Sequence, residues 1–456
     1  MSDVRENLLT ESPWKLMLKL SLPAILGQFV VGLYAFVDSI YVGQMVGVSA
    51  MSAVSAASPF VLVNNGIAVL VGIGSGSILS RAVGAGDRET VDKIMGNLLV
   101  LVLLLSGIVM AAGIPLAPAL LRLSGAEGEV LAMGTTYLRT VYMGSIFVNF
   151  MQSANMVMRA EGRMGTAMAI MAGGAVLNII LDPIFIILMP GRGPQAVALA
   201  TILSQFCQAV FTMIYFIKKS PVVRFHRIRL EPELLPGIFS VGVSAMLMQV
   251  LMLVQMTVVY NTAVRYGGAD QIALMGAAQR VLQLAFVPVW GMSQGLQPAV
   301  GTNYGAGQYR RAKTMTKVFI AGSTLLALVF FFIMQAFPRT ILSAFITDPS
   351  IVERGLVNFR LMYSIFPTYG LLIMTMTFFQ SLGKGAQAGA LVMLRQILLI
   401  VPLVLILPRF LGVTGVWLAI PANDAIVLIL ALVFLGKEFR ALSRLEAETK
   451  PMPNAA

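Results

Sequence analysis

The sequence predicts an all-α polytopic membrane protein of twelve transmembrane helices, arranged as two pseudo-symmetric six-helix bundles. Three observations predict it. The 456 residues are 58% hydrophobic and only 11% charged, with a mean hydropathy of +0.85, values that a soluble domain does not sustain. Apolar blocks of roughly 20 residues, the length that crosses a hydrocarbon core as a helix, recur along nearly the whole chain. They are continuous rather than alternating, which argues against a transmembrane β-barrel. Finally, the second half of the chain repeats the first at a fixed offset.

The expected spans run roughly 16–40, 53–79, 95–118, 132–157, 166–189 and 194–217, then 236–264, 272–300, 316–338, 356–382, 386–408 and 412–436. They define an N-terminal lobe (1–218), a basic linker (219–235), a C-terminal lobe (236–440) and a polar tail (441–456). The N-terminal stretch MSDVRENLLTESPWKLMLKL is polar and mixed in charge. It lacks the basic region, short apolar core and cleavage site of a removable signal peptide, so the first apolar block is read as the first span. At an offset of 221, "RAVGAGDRETVDK" pairs with "TNYGAGQYRRAKT", "YLRTVY" with "NFRLMY" and "RAEGR" with "QSLGK". With a two-residue gap, "AVALAT" pairs with "GVWLAI". Six spans per repeat mean that both halves enter the membrane the same way, related by an axis along the membrane normal with a cleft between them. Internal repeats of this kind characterise transporters.

The net charge is +12. Most Lys and Arg fall on one side of the expected topology: both termini, the 81–93 loop, "RAEGR", the linker and "YRRAKTMTK". The positive-inside rule therefore places both termini in the cytoplasm. Anionic lipid, rather than nucleic acid, accounts for the basic balance. The one cysteine, Cys207, and one histidine, His226, permit neither an internal disulfide nor a Cys/His metal cluster. Cys207 reads as a small apolar helix residue and His226 as a solvated loop residue. The glycines of "SRAVGAGD" do not form a phosphate loop, and no such motif occurs elsewhere. An ion gradient is therefore the expected driving force, no cofactor is expected, and no catalytic constellation can be assembled.

The informative residues are polar ones inside apolar runs. Asp38 lies in "GLYAFVDSIYVG", and Asn178 and Asp182 lie in "GGAVLNIILDPIFIILM". The first and fifth spans run in the same direction, so these residues belong to the outer half of the N-terminal lobe. Asn178 and Asp182, at i and i+4, share a helix face. A charge in the bilayer is costly unless it faces a polar cavity, meets a cation or takes up a proton. Two neighbouring carboxylates would titrate as a pair, and the same oxygens, with Thr201, could ligate a small hard cation such as sodium. Two structural readings stand beside this one: Asp182 precedes Pro183 and could cap a restarting helix, and Asp38 could be interfacial if the first span ends early. The second half lacks these groups. Leu399, Leu403 and Ile420 match Asn178, Asp182 and Thr201, and the match for Asp38 falls near Thr257. It offers instead Gln249, Gln255, Asn261, Gln279, Arg280, Gln283 and Asp424, with methionines such as Met246, Met248, Met252 and Met256 from a total of 29. Asp424, after "IPAN", fits three roles: a helix-restart cap, a partner for Arg280 or Arg395, or a second site. A flexible methionine-lined surface suits varied flat ligands, although packing or lipid contact explains any single methionine as well.

These residues resemble the multidrug and toxic compound extrusion (MATE) transporters, bacterial branch, over nearly the full chain. The resemblance rests on Pro23, Tyr34 and Asp38, on Asn155, on "LNIILDPIFI", on "ALAT" with Thr201, and on the two "GAG" loops. It implies two six-helix bundles forming a V with a central cavity that opens alternately to either side. It also implies export of cationic, often aromatic, compounds in exchange for protons or sodium. By that resemblance Asp38, Asn178, Asp182 and Thr201 form the ion-coupling site, and a metal site only if sodium is the ion. Tyr34 and Asn155 stand nearby, and Pro23 is where the first helix bends on protonation. Tyr34, Asn155, Gln249, Met252, Gln255, Met256, Gln279, Arg280 and Gln283 are the expected substrate-facing residues. The sequence lacks the acidic residues that some family members carry in the seventh and eighth spans. The expected partners are small organic cations and membrane lipids, the expected state a monomer, and the expected location a bacterial inner membrane. A rival reading is a flippase or exporter of a lipid-linked or other amphiphilic metabolite in the same broad superfamily. It would favour a strongly basic cavity, whereas arginines within spans are few, chiefly Arg280 and Arg395.

Overall fold

The computed structural model describes residues 2–226, 228–268 and 270–449. Within them the regular secondary structure is all helical. In order these are α1 (Ser2–Thr10), α2 (Pro13–Tyr41), α3 (Val48–Ala85), α4 (Arg88–Leu123), α5 (Gly128–Met143), α6 (Ser145–Ala160), α7 (Met164–Leu188) and α8 (Gly193–Ile214). After the linker come α9 (Leu235–Gly267), α10 (Asp270–Gly305), α11 (Tyr309–Ala336), the short α12 (Pro338–Ser343), α13 (Pro349–Met362), α14 (Tyr369–Ser381), α15 (Gly385–Met393), α16 (Ile400–Leu411) and α17 (Val413–Thr449).

Eleven described segments are long and apolar enough to cross a membrane. The remaining expected span, 132–157, consists of α5 and α6, 16 residues each, which meet at Gly144. A Cβ there would lie 2.6 Å from the Ile202 side chain, so the break lets α8 approach closely. Several helices outrun their apolar cores. The expected span 95–118, for example, is the middle of α4, because polar ends stay helical once a well-formed cap starts them. Asp87 supplies that cap, accepting from the Thr90 amide at 3.1 Å. Gly86, at φ 76°, closes α3 just before it. The "GAG" stretch is thus a helix stop followed by a helix start, and Gly307 at φ 72° repeats the turn after α10.

Three π-helical turns interrupt the pattern: Val42–Val46, Tyr215–Lys219 and Leu394–Leu398. Such turns leave carbonyls out of register and recur at functional positions.

The chain divides into two compact units. One comprises Met1–Leu9 with Leu26–Met246, and the other Thr10–Ile25 with Leu247–Ala456. Two helices are therefore shared. In α2 the division falls just after Pro23, and in α9 it falls 221 residues later, the repeat offset. Within the N-terminal unit, the first half of α9 lies backbone to backbone on α3: a Cβ on Gly74 would sit 2.3 Å from the Ile238 carbonyl oxygen. Within the C-terminal unit, the first half of α2 lies on α10, where a Cβ on Gly291 would sit 2.9 Å from the Ile25 backbone. Small residues at crossings are how membrane helices gain packing when lipid is as apolar as they are.

The linker is tied down rather than loose. Asn97 accepts from the Glu231 amide at 2.9 Å, Lys93 pairs with Glu233 at 2.6 Å, and the exposed His226 lies 3.4 Å from Asp92. At its start Ser220 donates to the buried Glu161 at 2.7 Å, and Tyr215 donates to the same carboxylate. Glu161 follows α6, outside the spans, and burial raises its carboxyl to about 7.

Candidate functional site

The polar residues singled out in the N-terminal half converge. Asp38 lies in the last turn of α2, just before the π turn that ends it. Asp182 on α7 is fully buried, and Asn178, one turn earlier, is 2% exposed. Pro183 continues α7 rather than breaking it, so Asp182 is mid-helix and caps nothing. Asn178 donates to Asp182 Oδ1 at 3.3 Å and to Thr201 Oγ1, on α8, at 3.4 Å. Thr201 spends its own proton on the Val197 carbonyl at 3.0 Å, which leaves its oxygen free to accept. The Asp38 and Asp182 carboxyls approach within hydrogen-bonding reach of each other.

Asp38 Oδ1, Asp182 Oδ2 and Asn178 Oδ1 are buried with no donor. Buried acceptors are ordinarily satisfied, and the cost of leaving them unmet is high away from water. The donor set is all hard oxygen, the chemistry that suits a proton shared between carboxyls or a small cation such as sodium.

Tyr34, one turn before Asp38, stands close enough to both aspartates to feel their charge. So does Tyr137 on α5. Tyr137 is a site neighbour that sequence reasoning did not single out: it sat inside the repeat "YLRTVY", but one aromatic in an apolar run carries no signal of where it points. Asn155 is placed differently. It is buried on α6 and donates to the Ala167 carbonyl at 2.7 Å, which lies about 16 Å along α7 from Asn178 at 1.5 Å per residue. It ties α6 to the start of α7 and does not join the aspartates.

In the C-terminal unit, Gln249, Gln255 and Met256 on α9 are half-buried and Met252 is exposed. On α10, Gln279 is half-buried while Arg280 and Gln283 are exposed, and Arg280 stands near Tyr260. Asp424 has a definite partner. Arg395 donates to it through Nε at 2.8 Å and Nη2 at 3.4 Å, and the guanidinium lies 4.8 Å from the Tyr369 ring centroid. Asn423 donates to the Arg395 carbonyl at 3.0 Å, within the π turn Leu394–Leu398. Of the three roles open to Asp424 from sequence, the structure shows the partner of Arg395. Among the described residues no group of three or more His, Cys, Asp or Glu could hold a metal.

Comparison with known proteins gives the family. The MatE family model matches residues 23–184 and 244–406, two segments that begin 221 residues apart. The chain is 27% identical over 419 residues to "Multidrug export protein MepA" of Staphylococcus aureus (strain MRSA252), covering 91% of this chain and 92% of that protein. It is 27% identical over 410 residues to the protein of the same name from Staphylococcus haemolyticus (strain JCSC1435), covering 89% of each. Among solved structures it is similar to "Crystal structure of MATE in the bent conformation" (TM-score 0.92, 26% identity, 98% of this chain and 100% of that one). It is also similar to a transporter of the MOP superfamily from Pyrococcus furiosus whose title reports reverse polarity of the binding pocket and suggests a different function (TM-score 0.90, 27% identity, 97% and 99%). With the matched segments covering well over half of the chain, in both repeats, this protein belongs to the MatE family.

Proposed function

We propose that the chain is a secondary active exporter that exchanges cationic, often aromatic, compounds for protons or sodium by alternating access. It acts as a monomer in a bacterial inner membrane with both termini in the cytoplasm. The observation that carries this reading is the meeting of Asp38, Asp182, Asn178 and Thr201 in membrane-spanning helices, with three acceptor oxygens lacking donors. A proton or small cation satisfies those oxygens from one side of the membrane and leaves them to the other. The staphylococcal relatives, named as multidrug export proteins, support drug export.

In the cycle, ion uptake neutralises the aspartates and weakens drug binding, the drug leaves outward, and the ion is released inward. Ion and drug need not share one site, but they compete through the same conformational states. Charge balance constrains the exchange. One proton for one monovalent drug moves no net charge, so a pH unit supplies only about 1.4 kcal/mol. Two ions would also draw on the membrane potential, about 2.3 kcal/mol per charge per 100 mV.

The test uses purified protein in liposomes, with ethidium movement followed under an imposed pH gradient without sodium, and then under a sodium gradient. Wild-type movement that Asp38→Asn abolishes under one of these gradients identifies the coupling ion. No movement under either gradient overturns the reading.

A further inference from the structure

Two arginines recur in the two repeats with the same kind of partner. Arg139 of α5 donates through Nε to the Ile114 carbonyl of α4 at 3.1 Å, and Arg360 of α13 donates through Nε to the Gln335 carbonyl of α11 at 3.1 Å. Donor and acceptor of the second pair both lie 221 residues after those of the first. The two carbonyls are open for different reasons. Residue 118, whose N–H would serve Ile114 within α4, is a proline and has none. Gln335 is the next-to-last residue of α11, where carbonyls have no intrahelical partner. In the second pair Gln335 Nε2 also donates to the Arg360 carbonyl at 2.9 Å. Different sequences thus reach one arrangement: an arginine held by its Nε, with the other N–H groups of its fork unspent.

The surroundings of both forks are apolar. Both arginines are exposed, and among the described residues neither has a carboxylate partner. Arg339 and Arg354, near Arg360 in the chain, do have one: Glu353 at 2.7 Å and Asp270 at 2.9 Å. Met143, one turn after Arg139 on the same face, is 52% exposed, and Leu116, two residues past Ile114, is 53% exposed. Beside Arg360, Val357 is 71% exposed and Phe337 60%. By the order of the spans, both arginines lie near the start of one, the fourth and the tenth, on the membrane side opposite the termini. A guanidinium there is costly in hydrocarbon, and a long side chain relieves the cost by reaching the headgroup layer. A planar fork fixed at one nitrogen can take a phosphate through the others.

We propose that Arg139 and Arg360 each bind the phosphate of an anionic phospholipid in the leaflet opposite the termini, forming two repeat-related lipid sites, one in each unit. An unbalanced guanidinium favours a lipid of net negative charge over a zwitterionic one. The acyl chains lie along the apolar side chains beside each arginine. Each lipid joins a helix pair, α4 with α5 or α11 with α13, where a helix carbonyl lacks its usual partner. This inference needs only the spans and is independent of the export reading.

The experiment is native mass spectrometry of the purified full chain, delipidated and then titrated with phosphatidylglycerol or with phosphatidylcholine of the same acyl chains. Arg139→Gln and Arg360→Gln each keep an N–H donor for the carbonyl but lose the charge. Each should weaken one phosphatidylglycerol site about tenfold, and the double variant should retain two fewer of these lipids than wild type. Lipid held by the basic loops of the other side should be unaffected. An equal loss of phosphatidylcholine overturns the preference for an anionic lipid. Glycerol phosphate carries the same phosphate without acyl chains and should leave the lipids in place; if it displaces them, the sites take a soluble phosphate and the proposal falls. If a variant does not fold, a photoactivatable phosphatidylglycerol decides on wild type, where labelling should concentrate in Gly128–Met143 and Pro349–Met362. Unchanged retention in the double variant, or labelling confined to the basic loops, overturns the inference.

Discussion

Helices α7 and α8 of the N-terminal unit and helices α15–α16 and α17 of the C-terminal unit are the same pair in the two repeats, yet they treat charge in opposite ways. In the first, Asp182 and Asn178 face Asp38 with acceptor oxygens to spare. In the second, Leu403 and Leu399 stand at the matching positions, and the buried acid, Asp424, is met by Arg395. Arg395 falls where the first repeat has Gly174. There Gln208 crowds so close that a Cβ would lie 1.9 Å from it. One repeat therefore leaves its buried carboxylates to be balanced from outside, and the other carries its own cation on a side chain.

The contrast predicts opposite responses to the same chemical change. Asp182→Asn should abolish ion-driven transport, at least tenfold and down to background, while the unfolding midpoint of the purified protein stays at or above that of wild type, because a carboxylate short of donors has been neutralised. Asp424→Asn should destabilise by about 3–5 kcal/mol, since it strands the Arg395 guanidinium. Replacing both members, Arg395→Met with Asp424→Leu, should recover most of that loss. Equal midpoints for Asp424→Asn and wild type would mean that the pair is not a stabilising contact, and the comparison would break.

A smaller effect sharpens the first site. Tyr137→Phe should change the ion concentration for half-maximal transport by a few-fold, through loss of one hydroxyl near both aspartates, and leave stability within about 1 kcal/mol. No change in ion dependence would remove Tyr137 from the site. The smallest effect is a control outside the spans. Burial raises the Glu161 carboxyl from about 4.5 to about 7, so between those values the folded protein holds a proton that the unfolded chain releases. Stability should therefore fall as pH rises through that window and level off above it. Glu161→Gln should flatten this part of the profile in thermal unfolding scans from pH 5 to 8.

The architecture was legible because bilayer helices are written in composition: long apolar blocks have one structure open to them. Asp38, Asn178 and Asp182 were legible for the converse reason, since a carboxylate in such a block needs an explanation. What escaped were features fixed by rotation and register. Tyr137 turns toward the aspartates because of how α5 packs, and Asn155 meets the start of α7 rather than its middle. The π turn at Leu394–Leu398 depends on shifted hydrogen bonds that leave no compositional mark. The pairing of Arg395 with Asp424 stood among three open roles because sequence gives no distance between two spans.

The division of α2 after Ile25 and of α9 after Met246 bears on how the chain can be dissected. Each repeat lends its leading half-helix to the other's packing. A fragment cut at the linker would keep α3 but lose the α9 segment that covers Gly74, exposing a groove shaped for a strand of helix it no longer owns. Two separately expressed halves should therefore be poorly soluble alone in detergent and should reassemble when mixed, by reciprocal exchange of arms. A single ancestral repeat of this design would have met the same need by trading arms with a second copy of itself.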